Sequence, residues 1–452
     1  MTEKTPIIAM LEAYDKRRTD RWHMPGHKGE FPPLSGAWDV TEVQGTDNLH
    51  HPTEGIAQAQ RLLARAAGAA HSHLLVGGSS AGLHAMLAML APGDGIILSR
   101  WVHKAVVNAA QLYGLAPCWV QPAWDGTEQL PEDQPEALVA AMERNPQAKA
   151  ILVTTPDYYG RCLPLEAISR CAHRLGMLVL VDSAHGAHFP FSPLLPPSPA
   201  AWADLWVASA HTTLGALTQS AWLHASARVP EDQLMRSLAW VQSSSPSYWL
   251  MASLDQARAQ AERADWAGLI ERCEAFRRNA GKLDGIQMFP SDDPTRLVID
   301  VANRVGSGLA AARLLSEGGV ELEMADSRRL VAIATPWDRP EKFDRLASAL
   351  ARLPQREAAM ELPPLPEPGE RAAPLSCARG PRRAIELACA AGEIAADAAG
   401  AYPPGIALWQ PGERITPAQV AYLQALEAQG AEIFGIYDGK VEVANGLSFG
   451  DF

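Results

Sequence analysis

Short apolar runs alternate with helix-like stretches between about residue 73 and residue 225 of this chain. The runs are rich in Val, Ile and Leu and cover residues 96–99, 150–155, 177–182, 204–209 and 220–225. Amphipathic stretches such as 105–113 and 165–175 fill two of the intervals. Apolar strands that alternate with helices are typical of a parallel sheet covered by helices on both faces. The pattern therefore predicts a doubly wound α/β domain with a mainly parallel sheet.

The sequence patterns after about residue 281 predict smaller domains. Strand-like runs at 286–291, 295–301 and 330–335 surround a helical pattern at 311–318, which indicates an α+β domain. A Pro- and Glu-rich stretch that follows is typical of a linker, and helix patterns occupy 381–399 and 416–429 beyond it. The predicted organisation is an N-terminal arm (1–49), a large domain (50–280), a small α+β domain (281–353), a linker (354–374) and a C-terminal domain (375–452).

Composition and charge narrow the classes of partner. The 452 residues are 47% apolar and 20% charged, which is ordinary for a folded globular protein. A formal net charge of -12 gives little attraction for nucleic acid or anionic lipid and favours a cationic ligand. The six cysteines form no C-x-x-C pair, and the chain has no export signal and no apolar run long enough to cross a membrane. We therefore predict reduced thiols and a cytoplasmic protein that binds neither nucleic acid nor membrane.

The sequence GGSSAG at 77–82, which opens an apolar helix, is a candidate phosphate site. Backbone N–H groups, two hydroxyls and a helix N-terminus together favour an anion. Taken alone this signal is weak, because Gly followed by Ser is also an ordinary helix start.

Polar residues follow several predicted strands, where α/β proteins place their ligands. Asp182 ends one strand and could pair with a protonated heteroaromatic ring nitrogen, which would hold a cofactor in its electron-withdrawing state. His103 follows another strand and could lie against an aromatic ring. Each residue also has an ordinary structural reading, Asp182 as a cap and His103 as a core histidine.

A metal site is the alternative that the histidines raise. His23 and His27 have helical zinc spacing, but Pro25 and Gly26 break the helix that would bring them together. For His185 and His188 no acidic third ligand stands at zinc spacing. We therefore rank a metal-dependent hydrolase below a cofactor enzyme and predict no metal.

Read together and in order, the motifs resemble the prokaryotic ornithine/lysine/arginine decarboxylases. The matching segments run through nearly the whole chain: TPIIAMLEAY, HMPGHKG, TEVQGTDNLHHP, GGSSAG, VHKAV, TTPDYYG, VDSAHGAHF, SAHTTLGALTQ, SSPSYWLMASLD, DPTRLVIDV and AYPPGIALWQPGE. The resemblance implies a pyridoxal-5'-phosphate (PLP) enzyme of fold type I with smaller C-terminal domains, acting on a basic amino acid as a homodimer or higher oligomer. It also implies that Ser245–Ser247 reach the site of the partner subunit.

The resemblance implies a role for each site residue. Ser79, Ser80 and Ala81 would hold the cofactor phosphate, assisted by Ser209 and His211. His103 would stack on the pyridine ring, Asp182 would pair with the ring nitrogen, and Ala184 with His185 would lie near the other face.

One position departs from the family pattern. The family has Ser-x-His-Lys at this point, and its lysine forms the Schiff base with the cofactor, whereas this chain has Thr212. Ser209, His211 and the sequence LTQ at 217–219 stay in register. Lys28 and Lys104 fall where the family already has lysines, so neither replaces the missing nucleophile. The departure predicts non-covalent cofactor binding.

Two interpretations remain open at this point. The first is a PLP-dependent decarboxylase (a carboxy-lyase) whose activity is impaired by Thr212. The second is a pseudoenzyme that binds PLP or an aldimine non-covalently and acts through a partner.

Overall fold

The computed structural model describes residues 20–22, 42, 46–123, 130–355, 363–402 and 405–445. Its strands, in chain order, are β1 (Asp20–Trp22), β2 (His71–Leu75), β3 (Gly95–Ser99), β4 (Ala116–Val120), β5 (Ala150–Thr154), β6 (Leu178–Asp182), β7 (Leu205–Ala208), β8 (Ala221–Ala225), β9 (Gln287–Met288), β10 (Arg296–Asp300), β11 (Val320–Leu322), β12 (Met324–Ala325), β13 (Arg329–Ile333), β14 (Arg382–Glu386), β15 (Ala399–Tyr402), β16 (Ile406–Trp409), β17 (Glu432–Phe434) and β18 (Lys440–Ala444).

The helices of the described part alternate with these strands. They are α1 (Gly55–Ala67), α2 (Gly78–Leu87), α3 (Lys104–Leu112), α4 (Pro135–Arg144), α5 (Glu166–Arg174), α6 (Ala210–Thr213), α7 (Glu231–Val241), α8 (Tyr248–Ala261), α9 (Trp266–Ala280), α10 (Ala302–Val305), α11 (Gly308–Glu317), α12 (Pro340–Ala351) and α13 (Pro417–Ala428). None of them is long and apolar enough to cross a bilayer.

A seven-stranded sheet forms the large domain, in the order β2-β8-β7-β6-β5-β3-β4. The five apolar runs predicted from the sequence are β3, β5, β6, β7 and β8 of this sheet. Strand β8 is antiparallel to both of its neighbours, and the other pairings are parallel. The prediction of a mainly parallel sheet is confirmed.

Both faces of this sheet are covered, which explains why its strands are apolar throughout. Ile96 and Leu98 of β3 pack in one layer with Val106 of α3, whereas Ile97 packs in the opposite layer with Leu138 of α4. All five side chains are fully buried. Helices on two faces leave the strand ends as the place for polar side chains.

The next unit is a four-stranded antiparallel sheet in the order β12-β13-β10-β9. The runs predicted at 286–291, 295–301 and 330–335 supply β9, β10 and β13. Strand β1 pairs in parallel with β11, and the buried Trp22 packs edge-on against Phe343 at 5.2 Å between ring centroids. Part of the N-terminal segment therefore packs against this unit, while the predicted domain boundaries stay predictions.

The C-terminal unit contains the pair β14–β18, the three-stranded sheet β16-β15-β17 and helix α13. Helix α13 confirms the prediction at 416–429, but the helix predicted over 381–399 is wrong. Its first part is β14, which pairs with β18 nearly 60 residues later, and Gly392 has a φ of +89° that ends any regular helix. Long-range strand pairing therefore determines the structure of the first part of this segment, although its alanine-rich periodicity is typical of a helix.

One predicted feature lies outside the described residues, and another is described only in part. HMPGHKG, with His23, His27 and Lys28, lies outside them. Residues 363–374 of the predicted linker contain one isolated bridge, between Arg371 and Glu413, and otherwise no helix or strand.

Candidate active site at the carboxyl edge of the sheet

The predicted anion site corresponds to the N-terminus of α2. Gly78 has a φ of +71°, a conformation that favours glycine, and its N–H donates to the Gln219 carbonyl at 2.8 Å. A Cβ on Gly82 would lie 2.6 Å from Val207, so the helix packs closely on β7 with its start at the sheet edge. Ser79 is half-buried, Ser80 is exposed and Ala81 is buried. The first N–H groups of an α-helix have no acceptor within the helix and are available to an anion.

Asp182 lies at the carboxyl end of β6 and is 4% exposed. Its Oδ1 accepts a hydrogen bond from the Ala184 N–H at 3.1 Å. Burial raises the pKa of Asp182 to about 6, against the lowering effect of that hydrogen bond. A cationic N–H brought beside this carboxylate would stabilise its charged form, as expected for a carboxylate that serves a protonated ring nitrogen.

Ser209 and His211 lie beside Asp182 because β6 and β7 are neighbours. The Ser209 N–H donates to the Ala184 carbonyl at 3.2 Å, which ties the two strand ends together. The Nδ1 atom of His211 is 3.0 Å from the Ser220 carbonyl and 3.1 Å from Ser209 Oγ. A carbonyl only accepts, so Nδ1 carries the proton of the neutral ring. Burial lowers the pKa of His211, which favours that neutral form.

His103 caps the N-terminus of α3, and its Nδ1 accepts a hydrogen bond from the Ala105 N–H at 3.2 Å. Burial, with a smaller contribution from the charge of Lys104, lowers the pKa of His103 to about 4. The imidazole is therefore neutral at physiological pH with its proton on Nε2. A neutral ring suits the stacking role that the family resemblance implies.

His185 has contacts that the sequence did not indicate. Its ring lies 4.2 Å from the Tyr158 ring, and the Arg296 guanidinium donates to its Nδ1 at 3.3 Å. Burial first, then the charges of Arg296, His103 and His211, lower the pKa of His185 well below its ordinary value. His103, His185 and His211 each follow the carboxyl end of a strand of the large sheet, namely β3, β6 and β7. Tyr158 and Arg296 lie in the motifs TTPDYYG and DPTRLVIDV. The match of these motifs to the family was the only sign in the sequence that the two residues belong near the site.

Thr212 lies in the short helix α6 and is 3% exposed. Its N–H donates to the Ser209 carbonyl at 3.1 Å. This bond fixes the Thr212 backbone next to Ser209, the residue that directly follows β7. The Lys104 amine, which follows His103, lies 5.5 Å from the centre of the Phe434 ring in the C-terminal unit. The remaining lysines of the described part, Lys149, Lys282, Lys342 and Lys440, have no contact with these site residues among those the structure gives.

The alternative of a metal site can be examined for the described histidines only. His185 contacts Arg296, while the Nε2 of His188 lies 3.3 Å from an oxygen of the buried Asp293. Within the described ranges no group of three or more His, Cys, Asp and Glu side chains is arranged to hold a metal ion.

Comparison with known proteins identifies the fold and the family. The architecture is that of the PLP-dependent enzymes of fold type I, and a lysine decarboxylase of Francisella novicida, LdcF, has a similar structure (TM-score 0.76, 19% identity, 91% of this chain and 74% of that chain). Residues 5–303 match the family model of the Orn/Lys/Arg decarboxylase major domain, and residues 355–438 match that of its C-terminal domain. The chain belongs to the Orn/Lys/Arg decarboxylase family.

Two relatives from Bacillus subtilis (strain 168) match nearly end to end. One is an arginine decarboxylase, 32% identical over 469 residues, and the other is the uncharacterized protein YaaO, 32% identical over 468 residues. Each alignment covers 95% of this chain and 96% of the relative.

Proposed function

We propose that this chain binds pyridoxal phosphate non-covalently and decarboxylates a basic amino acid at a rate limited by Thr212. The observation that carries the proposal is the position of Thr212. It follows Ser209 and His211 in the unbroken family register, beside a site whose other residues are in place.

The phosphate end of the site fits the cofactor. The α2 N-terminus offers N–H groups together with the Ser79 and Ser80 hydroxyls, and Ser80 is open to solvent. The positive φ of Gly78 and its N–H bond to the Gln219 carbonyl hold this turn in place, and that bond uses the first N–H of α2 but neither serine hydroxyl.

The ring end of the site fits as well. Asp182 is placed to hold a proton on the ring nitrogen, and the neutral His103 to cover the ring face. When bound, pyridoxal phosphate supplies an electron sink for negative charge at the substrate Cα. The His211 Nδ1–H is occupied by Ser220, so His211 assists through its other ring nitrogen or through Ser209.

The weakness of the site is at Thr212. A hydroxyl cannot form the carbon–nitrogen bond that the family lysine forms, and it titrates far from neutral pH, so it is a poor proton donor to Cα. Thr212 would therefore provide neither a covalent attachment point for the cofactor nor the activated linkage that the family lysine supplies. We expect slow turnover, with product release as the hardest step.

The second candidate is a pseudoenzyme that retains PLP or an amino-acid adduct and acts through a partner. The burial of Thr212 favours it, because a side chain that is 3% exposed is poorly accessible to a water or a diffusible amine that could take over the role of the lysine. The two candidates differ in turnover and not in binding.

Further proposals concern substrate, assembly and location. The net charge of -12 and the decarboxylase relatives support a basic amino acid as ligand. Ser245 is exposed, so it can contact a partner subunit, and we propose that it lies at a homodimer interface. The six unpaired cysteines support a cytoplasmic location.

Thr212→Lys tests the proposal directly. Restoring the amine should raise carbon dioxide and amine release from lysine, arginine or ornithine by at least the factor of about 10²–10⁴ that one acid–base group contributes. Both proteins are assayed with saturating PLP and matched melting curves. Fast wild-type turnover would overturn the proposed impairment, whereas a variant that links PLP covalently yet releases no carbon dioxide would favour the pseudoenzyme.

Borohydride reduction followed by peptide mapping tests the non-covalent mode. Wild type should give no stoichiometric pyridoxyl-lysine, while Thr212→Lys should give one at position 212. Labelling of Lys28 or Lys104 in wild type would show that another lysine has taken over the linkage.

A further inference from the structure

The segment that carries His103 is held by the C-terminal unit at two points. We propose that Glu413 and the Gly405 carbonyl position the His103 imidazole, so that the C-terminal unit is part of the cofactor site. This inference rests on the proposed function for one element, the contact between His103 and bound pyridoxal phosphate.

The first point is a buried ion pair between Arg100, which directly follows β3, and Glu413. Arg100 Nη1 and Nη2 donate to the two carboxylate oxygens at 2.5 and 3.0 Å, and Nη2 also donates to the Leu408 carbonyl at 3.2 Å. Arg100 is 8% exposed and Glu413 is 2% exposed. A bidentate pair that is shielded from water fixes orientation as well as distance.

A second cation and an indole complete this contact. Arg371 Nη2 donates to a Glu413 oxygen at 3.4 Å, and the Gln410 N–H donates to the other at 3.0 Å. The Trp119 ring lies 6.0 Å from the Arg100 guanidinium and 5.9 Å from that of Arg371. Glu413 therefore neutralises the buried Arg100 and also pairs with the partly exposed Arg371, and removal of its charge leaves the buried Arg100 without a counter-ion.

The second point lies at the other end of the same segment. The Lys104 N–H donates to the Gly405 carbonyl at 3.1 Å, and His103 forms an isolated antiparallel bridge with Ile406. Gly405 has a φ of +82°, so its carbonyl is presented by a turn that favours glycine. His103 is thus fixed between an anchored Arg100 and an anchored Lys104, only four positions apart along the chain.

Lys104→Pro removes the Gly405 contact with little other change. Lys104 is the first residue of α3, where proline is tolerated and its N–H has no partner within the helix. His103 has φ -64° and ψ 146°, the extended backbone that a following proline requires. Lys104→Ala is the matched control, since it removes the same side chain and keeps the N–H.

The proposal expects Lys104→Pro to raise the dissociation constant for pyridoxal phosphate at least threefold over Lys104→Ala, measured by absorbance titration of the full chain. Melting curves of the two variants establish that both fold. A difference below threefold overturns the positioning role of Gly405.

Glu413→Gln tests the other contact in the cofactor-free protein. Hydrogen exchange of the peptide spanning residues 100–112 should become at least threefold faster than in Glu393→Gln, whose glutamate pairs with Arg383 at 2.8 Å within the C-terminal unit. Equal exchange in the two variants overturns the proposal, and this readout remains valid if Lys104→Pro does not fold. If wild type fails to bind pyridoxal phosphate, the proposed function fails, while the exchange result still decides the positioning of His103.

Discussion

Two pairs of histidines, one within the strands of the large sheet and one just beyond its strand ends, teach different lessons. His73 of β2 and His224 of β8 lie within the strands, and burial lowers their pKa values to about 4 and about 3. His103 and His211 follow strand ends, and burial lowers their pKa values too. A depressed pKa alone therefore does not distinguish a functional histidine from a core histidine.

The hydrogen bonds make the distinction. At the strand ends a backbone group occupies Nδ1 of His103 and of His211, which leaves Nε2 to a ligand. In the core, His224 Nδ1 lies 2.7 Å from Ser72 Oγ and its ring stacks on Trp206 at 5.1 Å. Both ring nitrogens of His73 are buried and have no partner in the described part of the chain. At the carboxyl edge a backbone group fixes one ring nitrogen of each imidazole, whereas within the strands His224 bonds a side chain and His73 has no partner in the described part of the chain.

Asp182→Ala should give the largest effect on cofactor binding. It removes the carboxylate at the carboxyl edge that we propose pairs with the cofactor ring nitrogen. A hydrogen bond to a charged partner contributes about 1.5–3 kcal/mol, so pyridoxal phosphate affinity should fall about 10- to 100-fold. Equilibrium titration measures it.

The control for Asp182 is His224→Gln, which changes a residue of the core group and should leave affinity near wild type. Unfolding midpoints of both variants are compared at pH 8. Equal affinity in Asp182→Ala and wild type would mean that Asp182 is only a structural cap. The proposed difference between the carboxyl edge and the strand interior would then fail for this residue.

The core pair should control stability in acid. The folded-state pKa values of His73 and His224 lie below the unfolded value of about 6.5. Between pH 6.5 and pH 4 the unfolded chain therefore binds more protons, and stability is present above pH 6.5 and lost as pH falls. Each histidine contributes a slope of about 1.4 kcal/mol per pH unit.

Denaturant titrations at several pH values between 7.5 and 4.5 measure this slope. His224→Gln should lower it by about 1.4 kcal/mol per pH unit, the contribution of one proton. An unchanged slope would mean that His224 takes up its proton without unfolding the sheet.

His103→Ala should have the smallest effect. Loss of ring stacking, at about 0.5–1.5 kcal/mol, should weaken pyridoxal phosphate binding about 2- to 10-fold, while His103→Phe should retain most of it. The same titration measures both. If His103→Phe binds as weakly as His103→Ala, the imidazole acts through a hydrogen bond and not through its face.

The sequence by itself determined the family, the apolar strands of the large sheet and the departure at Thr212. These follow from local periodicity and from ordered motifs, which are written along the chain. It also predicted that Asp182 ends a strand, where α/β proteins place their ligands, and the family resemblance implied that Ser209 and His211 belong to the same site.

Tertiary structure decided what depends on contacts between distant residues. The Arg296–His185 hydrogen bond joins residues 111 positions apart, and the Arg100–Glu413 pair joins residues 313 positions apart. The pairing of β14 with β18 overrode a helix-like pattern in the same way. Local periodicity records which face of an element is buried, but it does not record which distant group meets that face, so only the folded chain determines these partners.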